Sequence, residues 1–570
     1  MMSKSVGADE SIDACVAAVR LACGDRGIAF DALDINEDKR LRVTLKGTFQ
    51  DWDLSIECDS TAVAGLPHVR LHSTGRLHPH VGYRGTVCVN DHQGISLDPD
   101  RPADIVAYTL LAAFDLLEKW DVDKDAGTSE FFNELEGYWS GLPGATGSSG
   151  AIEVDRKDRF ITFYVTAKDN KRKWYFTERD VAPPRKFDVK GAASQAALYI
   201  HLDALIAPPV SPEKLTAKYV ATIRDKMSAA QHELWGKLVR PSSNKNHPRR
   251  TVLLVSAPRE AGGVSLIGIE FGTRNGDIDL EAAVTPLTMR RLTASYMRER
   301  GGASETMYSR HVVVVGCGAV GSVIADTLAA TGVGQLTLVD HDDYSEDNVF
   351  RHILDPFWVD TSKVYALKYQ LETHYPGIKV NAYSNTGQKW LRGADLNDVD
   401  AVIIALGLPT LEQSFCRALR KTKRQIPMLF TWLEPLDLGG HSVLVWTQGE
   451  GCLACLYRDE EGALSLQSRI AFLAPNQAVS KNLTGCGSVF VPYGAIQARR
   501  TGLMAAEHML SALGGETGPS YRFWTGEGKA AAERELLTTP WWTEARTAFS
   551  GETHSRRAFG RPCKSCRSPK

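Results

Sequence analysis

Residues 311–363 read HVVVVGCGAVGSVIADTLAATGVGQLTLVDHDDYSEDNVFRHILDPFWVDTSK, and this stretch decides the fold. Valines 312–315 feed the turn Gly316-Cys317-Gly318-Ala319-Val320-Gly321. An amphipathic helix comes next, and a second apolar strand over 335–339 ends at Asp340. This order is a β-α-β unit whose turn has the spacing G-x-G-x-x-G. The glycines let backbone approach a nucleotide's phosphates, and the helix start offers free N–H groups and a positive dipole end. Asp340 stands where an acid takes ribose hydroxyls. By itself such a turn is as much an NAD or FAD site as any other nucleotide site.

The residues beyond Asp340 narrow the reading. Asn348, Arg351 and Lys363 fall within one short stretch, with a proline-containing loop between the two cations. A dinucleotide dehydrogenase has no need of two cations there; a triphosphate attacked at its α-phosphorus does. The run resembles the adenylation domain shared by ubiquitin-activating enzymes and the bacterial sulfur-carrier activators, the ThiF- and MoeB-like domains. The resemblance implies that Gly316, Gly318 and Gly321 cradle ATP and that Asp340 holds its ribose. It likewise implies that Asn348, Arg351 and Lys363 hold the phosphates, Arg351 and Lys363 acting catalytically.

Length and charge set the outer bounds. The chain of 570 residues has room for two to four domains, each with its own core. Lys+Arg number 66 against 68 Asp+Glu, so nothing argues for nucleic acid or a membrane surface as partner. No apolar run approaches the roughly 18 residues of a spanning helix. The eleven cysteines include two C-x-x-C pairs, and an odd count with no secretion signal reads as cytoplasmic thiols with metal or catalytic roles.

From the start of the chain, Ile12, Cys15, Val19 and Ala22 form one stripe of a helix over 10–26. Alternating segments at 41–46, 52–57 and 69–72 predict an antiparallel meander. Then come an irregular stretch carrying His78-Pro79-His80 and Cys88, and a helix over 102–120. That order resembles a ubiquitin-conjugating domain, in which the cysteine carries the modifier as a thioester. A thiolate suits the role as both nucleophile and leaving group. The family motif His-Pro-Asn stands here as His-Pro-His. His80 is therefore either a hydrogen-bond donor in place of the asparagine or a structural residue. Asp91, His92 and Asp98 either orient an incoming lysine or are ordinary loop polarity.

Residues 128–149 run from a short aromatic helix into a Gly/Ser-rich linker, marking a boundary near 145. Residues 150–285 hold short apolar strands and a helix over 212–239, with no catalytic constellation. Residues 286–300 look helical, and Arg298 or Arg300 is either the arginine that reaches a dimer partner's ATP in the adenylation family or part of a solvated face. The strand at 400–406 ends at Gly407-Leu408, where relatives carry an aspartate for Mg²⁺. The triphosphate and water are then left as its chief ligands. Cys452, Cys455, Cys563 and Cys566 supply four thiolates for a tetrahedral structural Zn²⁺, with a redox pair as the rival reading. Cys486, in a glycine-flanked loop before a helix at 495–513, matches the family's activating cysteine. Cys15, Cys23, Cys58, Cys317 and Cys416 read as packing.

The expected architecture is α/β and α+β multidomain. A ubiquitin-conjugating-like α+β domain spans 1–145 and a mixed α/β linker domain 146–285. A Rossmann-like adenylation domain spans 286–570. Conjugating and activating domains in this order resemble the fusion proteins of type II CBASS antiphage operons. The resemblance implies an ATP-dependent activating and conjugating enzyme, with catalytic residues Cys88, Cys486, Arg351, Lys363 and His80. It implies as substrate the C-terminus of a cGAS/DncV-like nucleotidyltransferase, joined to an amine on a target protein, and a homodimer. Two rival readings stand: conjugation of a bacterial ubiquitin-like protein, and an NAD-dependent oxidoreductase with an inert N-terminal binding module.

Overall fold

The computed structural model describes residues 8–35, 40–58, 65–72, 77–90, 94–168, 171–179, 181, 189, 191–240, 249–458, 463–482, 489–490, 492–548, 552–555, 563 and 566. The chain divides into two compact units, Met1–Thr293 and Ala294–Lys570. Among the described residues no helix is long and apolar enough to cross a membrane.

The first unit opens with helix α1 (Ala8–Asp25) and five antiparallel strands in sequence order: β1 (Phe30–Ile35), β2 (Arg40–Lys46), β3 (Asp51–Glu57), β4 (Val69–Leu71) and β5 (Thr86–Val87). Alternation puts Leu41, Val43 and Leu45 of β2 and Trp52, Leu54 and Ile56 of β3 in the core. The buried stripe of α1 is Ile12, Cys15, Val19 and Cys23; Ala22 is only half-buried, because the helical period carries the stripe one residue further. Helix α2 (Pro102–Val122) starts on a proline at its first turn and buries Val106, Leu110, Phe114 and Leu117 against the same core. Two shorter helices complete this part, α3 (Lys124–Asn133) and α4 (Leu135–Ser140).

The Gly/Ser stretch expected as a linker is instead strand β6 (Thr146–Ala151) of a second sheet. It pairs parallel with two strands at once, residues 287–291 on one side and 174–177 on the other. A Cβ on Gly150 would come within 2.9 Å of the Met289 side chain. The buried Ser148 hydroxyl donates to the Thr288 carbonyl at 2.8 Å. The other strands are β7 (Arg159–Lys168), β8 (Lys171–Thr177), β9 (Gln195–His201), β10 (Arg249–Pro258), β11 (Val264–Arg274), β12 (Asp277–Ile278) and β13 (Thr285–Arg291). Following β10-β9-β7-β8-β6-β13-β11, the last strand pairs back onto β10, so these strands close into a barrel with β12 appended. Closure removes the open edges. Phe163, Phe176, Tyr199, Leu254 and Leu287 fill one face, while Leu198, Ile200, Leu253, Val255 and Ile269 pack on the other with the helices. The helix expected over 212–239 is two, α5 (Ala217–Arg224) and α6 (Ala229–Leu238), because Ser228 and Gln231 form a capping box that restarts the turn. Likewise 286–291 is strand rather than helix, held by pairing to both β11 and β6.

The second unit begins with α7 (Ala294–Arg300), β14 (His311–Val315), α8 (Ala319–Ala330), β15 (Gln335–Asp340), α9 (Lys363–His374), β16 (Lys379–Ser384), α10 (Gly387–Gly393), β17 (Ala401–Ile404) and α11 (Pro409–Leu419). Then come β18 (Pro427–Leu433), β19 (Gly439–Trp446), a ribbon of β20 (Lys481–Asn482) and β21 (Val489–Phe490), α12 (Ala495–Leu513), β22 (Ser520–Thr525), α13 (Lys529–Ala532), α14 (Pro540–Ala548) and β23 (Glu552–Ser555). The main sheet runs β16-β15-β14-β17-β18-β19-β22-β23, parallel through β18 and antiparallel beyond it. Buried on both faces, β14 and β17 read as unbroken apolar runs. Strand order reverses at β14, and the crevice beyond its carboxyl end is where such sheets bind ligands.

Candidate functional site

The glycine turn leaves β14 at that switch point. Gly316 adopts φ +88°, a left-handed conformation, and a Cβ there would meet the Ala405 carbonyl oxygen at 2.6 Å. A Cβ on Gly321 would run into the Gly316 carbonyl oxygen, so the third glycine lets helix and strand meet. Gly318, the N-cap of α8, faces open space and makes no side-chain cap. Asp340 closes the turn from the end of β15. Its carboxylate accepts the Cys317 N–H at 2.6 Å and the Asp342 N–H at 2.9 Å.

The two cations are held differently. Lys363 is buried at the first turn of α9, and its Nζ donates to Asp342 at 3.0 Å. Arg351 is half-buried, its guanidinium 5.0 Å from the Tyr493 ring centroid. Asn348 turns its side-chain oxygen back onto the Ser345 N–H at 3.3 Å, and its carbonyl accepts the Arg351 and His352 N–H groups. The glycine turn, Asp340 and the stretch from Asn348 through Lys363 therefore meet in one cradle at the end of β14.

Sequence reasoning missed three groups here. His352 is buried: its Nδ1 accepts the Leu354 N–H at 3.1 Å and its Nε2 lies 2.8 Å from the Cys317 carbonyl, fixing the neutral Nε2–H tautomer under the turn. Burial pushes its pKa down to about 4. Asp342, the partner of Lys363, lay in an acidic run with no distinguishing signal. Glu412 reaches from α11 beneath the β17 end and accepts the Gly407 N–H at 2.9 Å. Burial, partly offset by backbone N–H groups, raises its pKa to about 7. Gly407 itself, at φ +65°, offers no carboxylate.

Arg298 packs on Tyr308 at 3.6 Å from the ring centroid and pairs with Glu305 at 3.1 Å, whereas Arg300 is solvent-exposed at the end of α7. Cys486 lies outside the described residues, as do Asp91 and His92. Asp98 accepts the Asp100 N–H within its own loop. Cys452, Cys455, Cys563 and Cys566 converge, all buried, with neighbouring sulfurs 3.5–4.0 Å apart. Tetrahedral Zn²⁺ with bonds of about 2.3 Å requires edges of about 3.8 Å. A disulfide needs about 2 Å. The donor set fits the metal. Cys15, Cys23, Cys58, Cys317 and Cys416 are buried.

In the first unit Cys88 is solvent-exposed just after β5. Its N–H donates to the His80 carbonyl at 2.8 Å, so the two residues are tied side by side. His80 also faces Glu130 and Glu134, two carboxylates with no signal in the sequence.

Residues 290–534, which hold this switch-point glycine turn and the buried Lys363, match the ThiF family. The second unit carries a ThiF-family domain. The ATP-dependent ubiquitin transferase-like protein Cap2 of Pseudomonas aeruginosa is 26% identical over 246 residues, 42% of this chain and 43% of that protein. Cap2 of Escherichia coli is 22% identical over 521 residues, 81% of this chain and 85% of that protein. The chain thus spans under half the length of the first relative and most of the second. Among solved structures, E. coli MccB with ATP overlays 46% of this chain and 68% of that one, at 14% identity and a TM-score of 0.31, a partial overlay only.

Proposed function

We propose that this chain activates the C-terminus of a partner protein with ATP and passes it, through two cysteines, to an amine. The partner's carboxylate oxygen attacks the α-phosphorus of ATP. The bond to the β-phosphate oxygen breaks, and pyrophosphate leaves. Lys363 and Arg351 offset the charge that builds on the phosphates, and the glycine turn with Asp340 positions the nucleotide. Mg²⁺ bound with the triphosphate would add positive charge there. The Cys486 thiolate then displaces AMP from the acyl-adenylate, Cys88 takes the acyl group as a second thioester, and an amine converts it to an amide.

The observation that carries this reading is the cradle at the end of β14. It joins a glycine turn open at Gly318 with the Asp340 carboxylate at the end of β15 and a buried lysine. The exposure of Cys88 beside a His-Pro turn supports the carrier role. The two relatives named ATP-dependent ubiquitin transferase-like protein Cap2 support ATP-driven protein transfer; an antiphage setting of the CBASS type, with a cGAS/DncV-like nucleotidyltransferase as the activated protein, is part of the same proposal. Cys452, Cys455, Cys563 and Cys566 would hold a structural Zn²⁺.

Intact-mass measurement on a Cys88→Ser variant co-expressed with its gene neighbours tests the route. Serine retains the acyl group as an oxyester, so the expected mass gain is one neighbouring protein minus water. A gain equal to a ubiquitin-like protein would change the substrate but keep the chemistry. Adduct in a Cys486→Ser variant and never in Cys88→Ser would end the carrier role. Thermal stabilisation by NADH and not by ATP would overturn the whole reading.

A further inference from the structure

The first unit builds an acid–imidazole device around Cys88. His80 sits at φ +60°, in the left-handed region that costs a non-glycine residue energy and recurs at functional sites. That turn aims the ring at α3 while the His80 carbonyl holds the Cys88 N–H. On α3 and its cap, Gly127, Glu130 and Glu134 recur at positions i, i+3 and i+7, so they share one face. A Cβ on Gly127 would lie 3.5 Å from the Pro79 ring, so the glycine lets this face come close to the His-Pro turn. The two carboxylates then meet opposite sides of the ring: Glu134 lies 3.1 Å from Nδ1 and Glu130 3.4 Å from Nε2. The Trp120 ring of α2 stacks beside it at 6.1 Å, with the Lys119 ammonium on its π-face.

A neutral imidazole has one N–H and one lone pair, so one carboxylate would face the lone pair and be repelled. Only the doubly protonated ring satisfies both. One ligand atom each from His80, Glu130 and Glu134 also lie within 4.8 Å of one another, the spacing of a metal site, so metal uptake is the rival outcome. We propose that Glu130 and Glu134 are positioning residues that hold His80 as an imidazolium next to Cys88, giving the sulfur a fixed positive neighbour during acyl transfer. This rests on the reading of Cys88 as the acyl carrier.

As the amine nitrogen bonds to the acyl carbon, the C–S bond breaks and its electron pair returns to Cys88 as thiolate. The amine's surplus proton goes to water. The imidazolium stabilises the leaving sulfur and remains protonated. From solvent the two carboxylates and the ring sum to one negative charge, which favours an ammonium-bearing acceptor. His80's pKa is raised to about 10, chiefly by the Cys88 side chain and then by Glu134, against the pull of burial.

The test begins with the ring itself. Histidine-selective ¹⁵N NMR of the full chain, with His80→Phe to assign the signal, is expected to show both ring nitrogens protonated at about pH 8, above the usual imidazole range. Glu130→Gln with Glu134→Gln should return the titration toward the ordinary range. A His80 ring that is neutral at that pH in the unaltered chain overturns the proposal even where Cys88→Ser still traps an adduct. In the second arm, loaded Cys88 discharges to free lysine between about pH 6 and about pH 9. The double glutamine variant should slow discharge about tenfold to a hundredfold. His80→Lys should recover more of the rate than His80→Phe. Equal rates in those two variants would show a purely structural ring. Stoichiometric Co²⁺ uptake lost in the double variant would replace the proposal with a metal site.

Discussion

Lys363 and Asp342 form an ion pair at 3.0 Å beside the glycine turn of the proposed nucleotide site. The lysine is buried while the Asp342 side chain is half-exposed, so removing the lysine leaves a carboxylate that water solvates. Lys363→Met should therefore lower ATP–pyrophosphate exchange by about a hundredfold or more, while the second unit's melting temperature changes little. Exchange at an unaltered rate would remove Lys363 from the chemistry. Glu412 gives a second residue-scale expectation. Its carboxyl titrates near 7 when folded against a usual 4.5, so between those values the native state holds the extra proton. Its contribution to stability is greatest below about 4.5 and is lost as pH rises through about 7. His352 slopes the other way: pushed down to about 4 from 6.5, it weakens the fold as pH falls through that interval. Glu412→Gln keeps an oxygen for the Gly407 N–H and removes the titration. The difference in melting temperature between variant and parent should then grow from pH 5 to pH 8. A constant difference would place the Glu412 proton elsewhere.

At the scale of elements, what the sequence makes legible is whatever is local. The β-α-β unit, the strands β2 and β3 and helix α2 declare themselves by apolar period, and the nucleotide cradle is contiguous from Gly316 to Lys363. The illegible parts are set by partners far along the chain. Strand β6 has no apolar alternation and is made a strand by pairing with β8 and β13, with only Gly150 held tight against Met289; 286–291 is drawn into strand by β11 and β6 despite its helical look. His352, Glu412, Glu130 and Glu134 become site residues only once turns and helices fold over them. The β6 account makes a prediction. Gly150→Val would push a branched side chain at Met289 and Phe176 inside the barrel. It should cost about 1–3 kcal/mol in denaturant unfolding, with Met289→Ala recovering part of the loss. A neutral Gly150→Val would mean that the barrel has space at that point.

On the scale of the whole chain, the four-cysteine cluster brings Cys563 and Cys566 against Cys452 and Cys455 of the second unit's core. Cys452 and Cys563 are 111 residues apart, as are Cys455 and Cys566, so a metal at their centre closes a long loop. Cross-links of that span restrict the unfolded chain by about 5 kcal/mol in the loop-entropy account. The cluster also belongs to the apolar core that includes Leu453, Tyr457, Phe472 and Phe523, so four unligated thiols would loosen packing as well as release the tail. Metal analysis is expected to find one zinc per chain. Removing it with a chelator should lower the second unit's transition by on the order of 10 °C. Cys563→Ser with Cys566→Ser should reproduce that shift and abolish the chelator's effect, while Cys88→Ser should do neither. The Met1–Thr293 unit buries its own cores around β2, β3 and the barrel, so its transition is expected to stay in place. If chelation moved neither transition, the tie would rest on packing alone, and the convergence of the four sulfurs would have to be explained without a metal.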